Sequence, residues 1–406
     1  MKFDRVKLHP ATCKYIKMGH PWITTDSFTK NFPQNTPFLI GCDEKSTSPI
    51  AFLLNDPLHK NIKARVWDTK KLTYQSPDEF LEELKTRIEN SFKKRKNLNI
   101  SNFRENFYLV KAENDFIPGL EVLYLNQNLI IQYFAFYWSS FETELVKLLH
   151  HYFNVYFSNY NLSETWIQER NFKQEKKFRS LSGKFKSNFI VKEFEINYQI
   201  KLNQNYDFGI YTDMSGIRKE LTTYFQKSSS FLNLFSYTGA FSLFALSNGV
   251  KDVYSVDLSE KYLNWLNENL KLNPNLNSNY HTAICSSVEN ALQKFTEVKK
   301  NFDFIICDPP TASSDGKSLK NVLKTYENLL PLMLNILSPS GKLLVFVNTH
   351  TISMQKFESK IKEINNQLKL KRSIKIPKKF KLTEDCIGIK EFPEGDYIKG
   401  CLIEFE

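Results

Sequence analysis

Three short segments carry residue types with chemical use, each at the end of an apolar run. The first is Asn233-Leu234-Phe235-Ser236-Tyr237-Thr238-Gly239-Ala240-Phe241, which reads as a strand, a tight turn and a helix start. Gly239 allows backbone to approach a ligand closely, and a helix N-terminus offers N–H groups without intrahelical partners. One glycine is too few for a dinucleotide fingerprint or a phosphate loop. The second is Asp257, which ends an apolar run 18 residues after Gly239. A carboxylate there can accept both hydroxyls of a ribose, so a nucleoside ligand is expected, against the plain alternative of a strand-end acid. The third is Phe302-Asp303-Phe304-Ile305-Ile306-Cys307-Asp308-Pro309-Pro310-Thr311. Proline fixes φ and lacks an N–H, so Asp308, Pro309, Pro310 and Thr311 form a stiff loop suited to holding a flat substrate in line for group transfer.

The elements that must position these residues alternate strand and helix beyond about residue 200. Strands are expected at Phe231–Phe235, Val253–Val256, His281–Ile284, Phe302–Cys307 and Leu343–Val347. Helices are expected at Thr238–Ser247, from a Ser259 cap to about Leu270, at Val288–Phe295 and at Ser318–Leu337. Such alternation predicts an α/β fold with a doubly wound, mostly parallel, Rossmann-like sheet that binds ligands at the carboxyl ends of its strands. Residues 1 to about 72 show short β-like runs broken by Pro, Asn and Asp, as in a small β-rich barrel. Residues 73–200 read as an α+β middle domain: a helix capped by Ser76, strands at Phe107–Lys111, Glu121–Leu125 and Asn128–Tyr133, and a helix near Ser140–Phe153. The third domain is then 201–406.

Composition narrows the function classes. The chain has 406 residues, 41% hydrophobic and 24% charged, which excludes disordered and collagen-like proteins. No apolar run reaches membrane-spanning length. The start, Met1-Lys2-Phe3-Asp4-Arg5, lacks a signal-like apolar stretch, and a cytoplasmic location is expected. Six scattered cysteines without a CxxC pair suggest neither a disulfide framework nor a metal site. The net charge of +11 favours a polyanionic partner. Basic clusters stand at Lys93-Lys94-Arg95-Lys96, between Lys173 and Lys186, and from Lys369 to Lys381, with Phe172, Phe178, Phe185 and Phe380 among them as candidate stacking groups.

With these segments in order, the C-terminal half resembles the class I S-adenosylmethionine-dependent methyltransferases. More narrowly, the chain is similar to bacterial large-subunit (23S) ribosomal RNA methyltransferases that carry an N-terminal PUA domain. Asn233 to Gly239 resembles that family's cofactor loop, Ser255-Val256-Asp257-Leu258-Ser259 its ribose-binding acid, and Asp308-Pro309-Pro310-Thr311 its catalytic motif. Phe208-Gly209-Ile210-Tyr211-Thr212-Asp213-Met214-Ser215-Gly216-Ile217-Arg218 resembles the segment that closes over the cofactor, with Ser215 where an arginine is usual. Gly19-His20-Pro21-Trp22 and Ala64-Arg65-Val66 look like PUA markers, and Pro118-Gly119-Leu120 and Glu169-Arg170 like markers of the middle domain. The resemblance implies S-adenosylmethionine as cofactor, bound through Asp213, Arg218, Asn233, Phe235, Ser236, Tyr237, Thr238, Gly239, Asp257, Leu258, Ser287 and Asp308. It implies ribosomal RNA as partner and leaves a homodimer open. Ser287 stands where the family usually places an acid for the adenine amine.

The methylated atom can be addressed from thiols. Carbon 5 of cytosine needs covalent activation by a thiolate. Members with that activity resemble one another in a Ser-Cys-Ser element after the fifth strand, where this chain has Phe346-Val347-Asn348-Thr349-His350. Cys307 and Cys285 are expected in the core, and Cys13, Cys42, Cys386 and Cys401 belong to no nucleophile constellation. A ring nitrogen needs no thiolate. Asp308-Pro309-Pro310-Thr311 followed downstream by Asn348-Thr349 resembles the guanine-N7 branch of the family more than the cytosine branch, which implies guanine N7 as the target, with cytosine carbon 5 or another RNA position as alternatives. A small-molecule or protein methyltransferase, and a catalytically weak RNA-binding assembly factor, are the readings of other classes.

Overall fold

The computed structural model describes residues 3–170, 177–184, 186–203, 207–310, 320–368 and 373–405. Thr311 and parts of the Lys173–Lys186 and Lys369–Lys381 clusters lie outside them. Two compact units divide the chain: Met1–Ser187, Leu202–Tyr206 and Glu384–Gly395 in the first, Asn188–Lys201, Asp207–Thr383 and Asp396–Glu406 in the second. This differs from the expected division at residues 72 and 200, since the first two expected domains share one unit and residues 188–201 join the second.

The first unit is single because one apolar core runs through both of its sheets. A five-stranded sheet has the spatial order Asp4–Leu8, Phe38–Asp43, Pro49–Asn55, Ile62–Asp68, Trp22–Thr24. Another five strands follow the order Arg179–Ser180, Glu164–Glu169, Asn128–Tyr133, Leu120–Leu125, Asn106–Lys111. Phe38, Phe52, Leu54 and Trp67 of the former share a buried cluster with Phe107, Val122 and Ile131 of the latter and with Phe80, Leu84 and Ile88 of the helix Pro77–Asn97. Ser76 caps that helix by accepting from Glu79 N. Asn126 and Gln127 are both left-handed, at φ 35° and 64°, and turn the hairpin between Leu125 and Asn128. Buried charge also ties the sheets: Arg65 is bonded to Asp56 and, at 3.0 Å, to Glu113, which accepts from the Trp22 indole at 2.8 Å. His20 and Trp22 are thus satisfied within this unit, His20 against Glu394 at 3.2 Å.

The connection Glu384–Gly395 belongs to the first unit although both of its neighbours belong to the second. Its anchor is Asp385, 1% exposed, which accepts from Tyr108 N at 2.6 Å and pairs with Arg104. Its carbonyl takes a 2.7 Å bond from Arg95, whose guanidinium also grips both carboxylate oxygens of Asp115 at 2.6 Å.

The second unit holds a seven-stranded sheet whose strands we label β1 (Ser230–Leu234), β2 (Asp252–Asp257), β3 (His281–Cys285), β4 (Phe302–Cys307), β5 (Leu337–Asn348), β6 (Ile374–Phe380) and β7 (Ile398–Phe405). Their order is β3-β2-β1-β4-β5-β7-β6, with β7 antiparallel to both neighbours and β1 to β5 parallel. Helices α1 (Ala240–Ser247), α2 (Glu260–Lys271), α3 (Val288–Glu297), α4 (Lys320–Asn335) and α5 (Met354–Leu368) make the crossovers. The expected doubly wound sheet is present. Strands β1 and β4 are buried along nearly their whole length, as parallel strands covered on both faces must be. Sequence reading missed the hairpin Asn188–Glu193/Ile196–Lys201. Amide oxygens on or just beyond α2 hold one of its strands: Asn273 accepts from Asn197 N and Asn269 from Gln199 N, both at 2.8 Å.

Candidate active site

Strand order reverses between β1 and β4, the place where open α/β sheets form a ligand crevice, and the three chemical segments all lie at the carboxyl ends of β1, β2 and β4. Chain leaving β1 turns through Phe235, Tyr237 and Gly239 with φ of 58°, 50° and 82°. Left-handed backbone at two non-glycine residues costs about 1–3 kcal/mol each and is kept where a loop is built for binding. At Gly239 a Cβ would meet Leu266 Cγ at 2.4 Å, so only glycine fits between this turn and α2.

Asp257 ends β2 and is half-buried. Its Oδ2 accepts from Tyr237 N and its Oδ1 from Ser259 N, each at 2.9 Å, which leaves lone pairs on both oxygens for a diol. Burial raises this carboxyl against the opposing pull of its backbone donors. Leu258 follows with 75% of its surface exposed, an apolar face beside the acid. Tyr237 packs edge-on to Tyr262 at 4.6 Å and lies 5.2 Å from the Tyr211 ring.

Asp308 stands one residue beyond β4. Asn348, the last residue of β5, donates its amide to Asp308 Oδ1 at 2.7 Å. Burial, and then the nearby charge of Asp213, push the Asp308 carboxyl up to about 7, while the Asn348 amide draws it down. Two polar atoms at this edge, Ser236 Oγ and Asn348 Oδ1, are buried without a hydrogen-bond partner. Buried polar atoms are normally satisfied, so both fit a ligand that brings donors and acceptors.

Several expected contacts point elsewhere. Asn233 is 2% exposed and donates to Ser242 Oγ at 2.9 Å beneath the loop, because a residue in mid-strand faces α1 rather than the crevice. Thr238 donates inward to the Gly209 carbonyl. Arg218 is 1% exposed and paired with Glu193 at 2.6 Å, and also donates to Tyr211 O at 3.0 Å. Its role is to hold the Tyr211 segment. Ser215 bonds the same Glu193, which sequence reading had missed. Asp213 accepts from Tyr397. Ser287 caps α3 by accepting from Asn290 N at 3.2 Å. Phe235 is half-buried and packs against the core cluster of the sheet. Pro309 is buried and Pro310 exposed.

All six cysteines are described, and five are buried. Cys307 is fully buried in β4, as expected, and burial drives its thiol far up. Cys285 corrects the expectation of a core residue. It is exposed, because β3 is the edge strand of the sheet. Three strand spacings separate β3 from β4, about 14 Å, which keeps Cys285 from the Asp308–Asn348 pair.

Most described basic residues of two clusters are held in ion pairs. Lys93 pairs with Glu89 at 2.8 Å, Lys94 with Asp115 at 3.4 Å, and Arg95 is buried on Asp115. Lys375, Lys378, Lys379 and Lys381 pair with Glu404, Glu220, Glu358 and Asp396. Among the described residues no helix is long and apolar enough to cross a membrane.

Comparison with known proteins agrees with this geometry. The chain is 28% identical over 307 residues to YwbD of Bacillus subtilis (strain 168), provisionally named a ribosomal RNA large subunit methyltransferase, covering 73% of this chain and 74% of that one. It is 25% identical over 402 residues to ribosomal RNA large subunit methyltransferase I of Pseudoalteromonas translucida (strain TAC 125), covering 98% of each. Among solved structures, SMU.776, provisionally a methyltransferase and complexed with SAH, superposes with a TM-score of 0.82 at 20% identity over 99% of this chain and 100% of that one. Residues 161–392, more than half of the chain and the whole crevice from Asp213 to Asn348, match the family model, and the protein is a member of the S-adenosylmethionine-dependent methyltransferase family.

Proposed function

We propose that this enzyme methylates a base of large-subunit ribosomal RNA, at a ring nitrogen of guanine (N7), without a cysteine nucleophile. Similarity to a large-subunit ribosomal RNA methyltransferase over 98% of both chains supports the substrate class. The atom rests on one observation: the acid–amide pair Asp308–Asn348 occupies the β4–β5 edge, and the nearest thiol in sequence, Cys307, is sealed in the core.

S-adenosylmethionine supplies a methyl group activated on a sulfonium. The residues that would hold it are Asp257 for the ribose hydroxyls, Leu258 for the flat face of the base, and Ser236, Tyr237 and Gly239 at the loop. Arg218, through Glu193 and Tyr211, shapes the segment beside them. Asp308 is offered to the substrate with Asn348 fixing its orientation. The N7 lone pair forms the bond to the methyl carbon as the carbon–sulfur bond breaks. N7 carries no proton that must leave, the purine becomes positively charged, and a carboxylate at that edge stabilises the charge as it grows. Carbon 5 of cytosine would require both a thiolate and a base to remove a ring proton.

RNA is to be held by the five-stranded sheet of the first unit, which we propose as the PUA-like domain. Arg5 and Lys7 on the strand Asp4–Leu8, and Lys14 and Lys17 on the helix Pro10–Lys17, are exposed, and none is in an ion pair among the described residues. Tyr15, 56% exposed on the same helix, offers a ring for stacking. The target base must be single-stranded or flipped out to reach the crevice.

The test is nucleoside mass spectrometry of ribosomal RNA from a deletion strain, before and after treatment with the purified protein and S-adenosylmethionine. Restored 7-methylguanosine in large-subunit RNA is expected. Restored 5-methylcytidine would overturn the atom and keep the substrate, and no restored methyl group would overturn both.

A further inference from the structure

We propose that Tyr326 is a positioning residue for methyl transfer: its hydroxyl joins β4 to β5 directly beneath Asp308 and Asn348 and sets the spacing of that pair. The inference rests on the reading of the pair as the reacting edge.

The need for such a group follows from the sequence of the loop. Pro309 and Pro310 have no N–H, so the two residues after Asp308 offer β5 no ladder donors. Paired register between β4 and β5 ends at Cys307 and Val345. At that point α4 inserts Tyr326, which is fully buried. Its Oη accepts from Phe346 N at 3.1 Å, and its proton is shared between Phe346 O at 2.5 Å and Cys307 O at 3.1 Å. One hydroxyl thus bridges the residue before Asp308 to the residue two before Asn348. The far side of β5 is fixed independently by β7, where Phe346 faces Gly400 and Asn348 faces Ile398. β4 is paired with β1 as far as Leu234 and Cys307, so beyond the last paired residues the Tyr326 bridge sets how closely the two strand ends, and with them Asp308 and the amide, approach. Without it three buried backbone groups lose a partner at the strand ends, where relief comes by letting the strands part.

The experiment compares Tyr326→Phe with Leu330→Ala, a fully buried residue one turn along α4 in the same core cluster. Y326F removes one oxygen and keeps the ring, whereas L330A loosens packing without touching the bridge. We expect kcat on ribosomal RNA to fall at least about tenfold in Y326F, with KM for RNA and cofactor changed less than about threefold, since small misplacements act on the chemical step. L330A is expected to keep kcat within about twofold while losing as much thermal stability or more. In Y326F, carbon-13 NMR titration of the Asp308 carboxyl, which needs no RNA, should shift by at least about half a pH unit as the amide contact loosens. Unchanged kcat and unchanged Asp308 titration in Y326F would overturn the proposal. So would an equal kcat loss in L330A, or a Y326F protein that cannot be recovered folded, since the hydroxyl would then serve the fold rather than the site. If the wild-type protein does not turn over ribosomal RNA, the proposed function fails, and the Asp308 titration alone decides the role of Tyr326.

Discussion

Replacing Asp308 by Asn should make the ligand-free protein more stable while impairing it as an enzyme, and the gain should depend on pH. The folded carboxyl titrates near 7 against an ordinary value of 3.8, mainly because burial disfavours its charge. Between these values the native state binds more protons than the unfolded chain, so stability falls as pH rises from about 4 to about 7 and levels off above. A shift of about three units at about 1.4 kcal/mol each sets a ceiling near 4 kcal/mol. Asp308 keeps some solvent contact, and about half of that ceiling is expected in practice. Asparagine is neutral, nearly isosteric, and able to turn its oxygen toward the Asn348 amide. Urea unfolding should therefore show D308N more stable than wild type by about 2 kcal/mol at pH 8 and by under about 1 kcal/mol at pH 4.5. Turnover should drop by at least about 10²-fold. A gain equal at both pH values, or a loss at pH 8, would refute the assignment of Asp308 as an acid held against its charge.

Asp257→Ala should weaken S-adenosylmethionine binding by about tenfold or more, since bonds to a charged group are worth about 1.5–3 kcal/mol each; unchanged affinity by calorimetry removes the ribose assignment. Cys307→Ser should leave turnover within a few-fold and trap no covalent RNA adduct. A dead but folded C307S protein, or an adduct visible on a denaturing gel, would move the target to cytosine carbon 5. Lys14→Ala with Lys17→Ala should lower the log–log salt slope of RNA binding by about 1.4, at about 0.7 per phosphate contact on single strands. An unchanged slope would place the RNA elsewhere on the protein.

The sheet was legible in sequence because each central parallel strand is a short apolar run closed by a turn or an acid. Asp257 and Asp308 could be found for the same reason: a strand end is a one-dimensional signal. Side-chain direction was not legible. Asn233 and Thr238 lie in the right loop but face inward, and Arg218 met Glu193, 25 residues away on a hairpin too short and mixed to stand out. The basic run at Lys93–Lys96 held a warning in Glu89, four residues before Lys93 on the helix, while its pairing with Asp115 needed the fold. Cys285 looked like core because apolar neighbours do not reveal whether a strand is central or at an edge. Tyr326 reads as one more aromatic on an amphipathic helix, and nothing local shows that its hydroxyl is needed.

The segment Glu384–Gly395 has a consequence for how the molecule is made. Asp385 completes a buried charge cluster whose other members, Arg95, Arg104 and Asp115, were synthesised some 270 residues earlier. At about 5–20 residues per second a ribosome needs roughly 15–50 s to cover that distance. Through this interval the first unit emerges without the carboxylate and carbonyl that Arg104, Arg95 and Tyr108 N will bond. Its last buried contacts can close only when nearly the whole chain exists. A nascent protein stalled before residue 384 should stay open to proteolysis around Arg104 and Tyr108, and the N-terminal half of this enzyme reaches its final form at about the same moment as the strand β7 that completes its catalytic sheet.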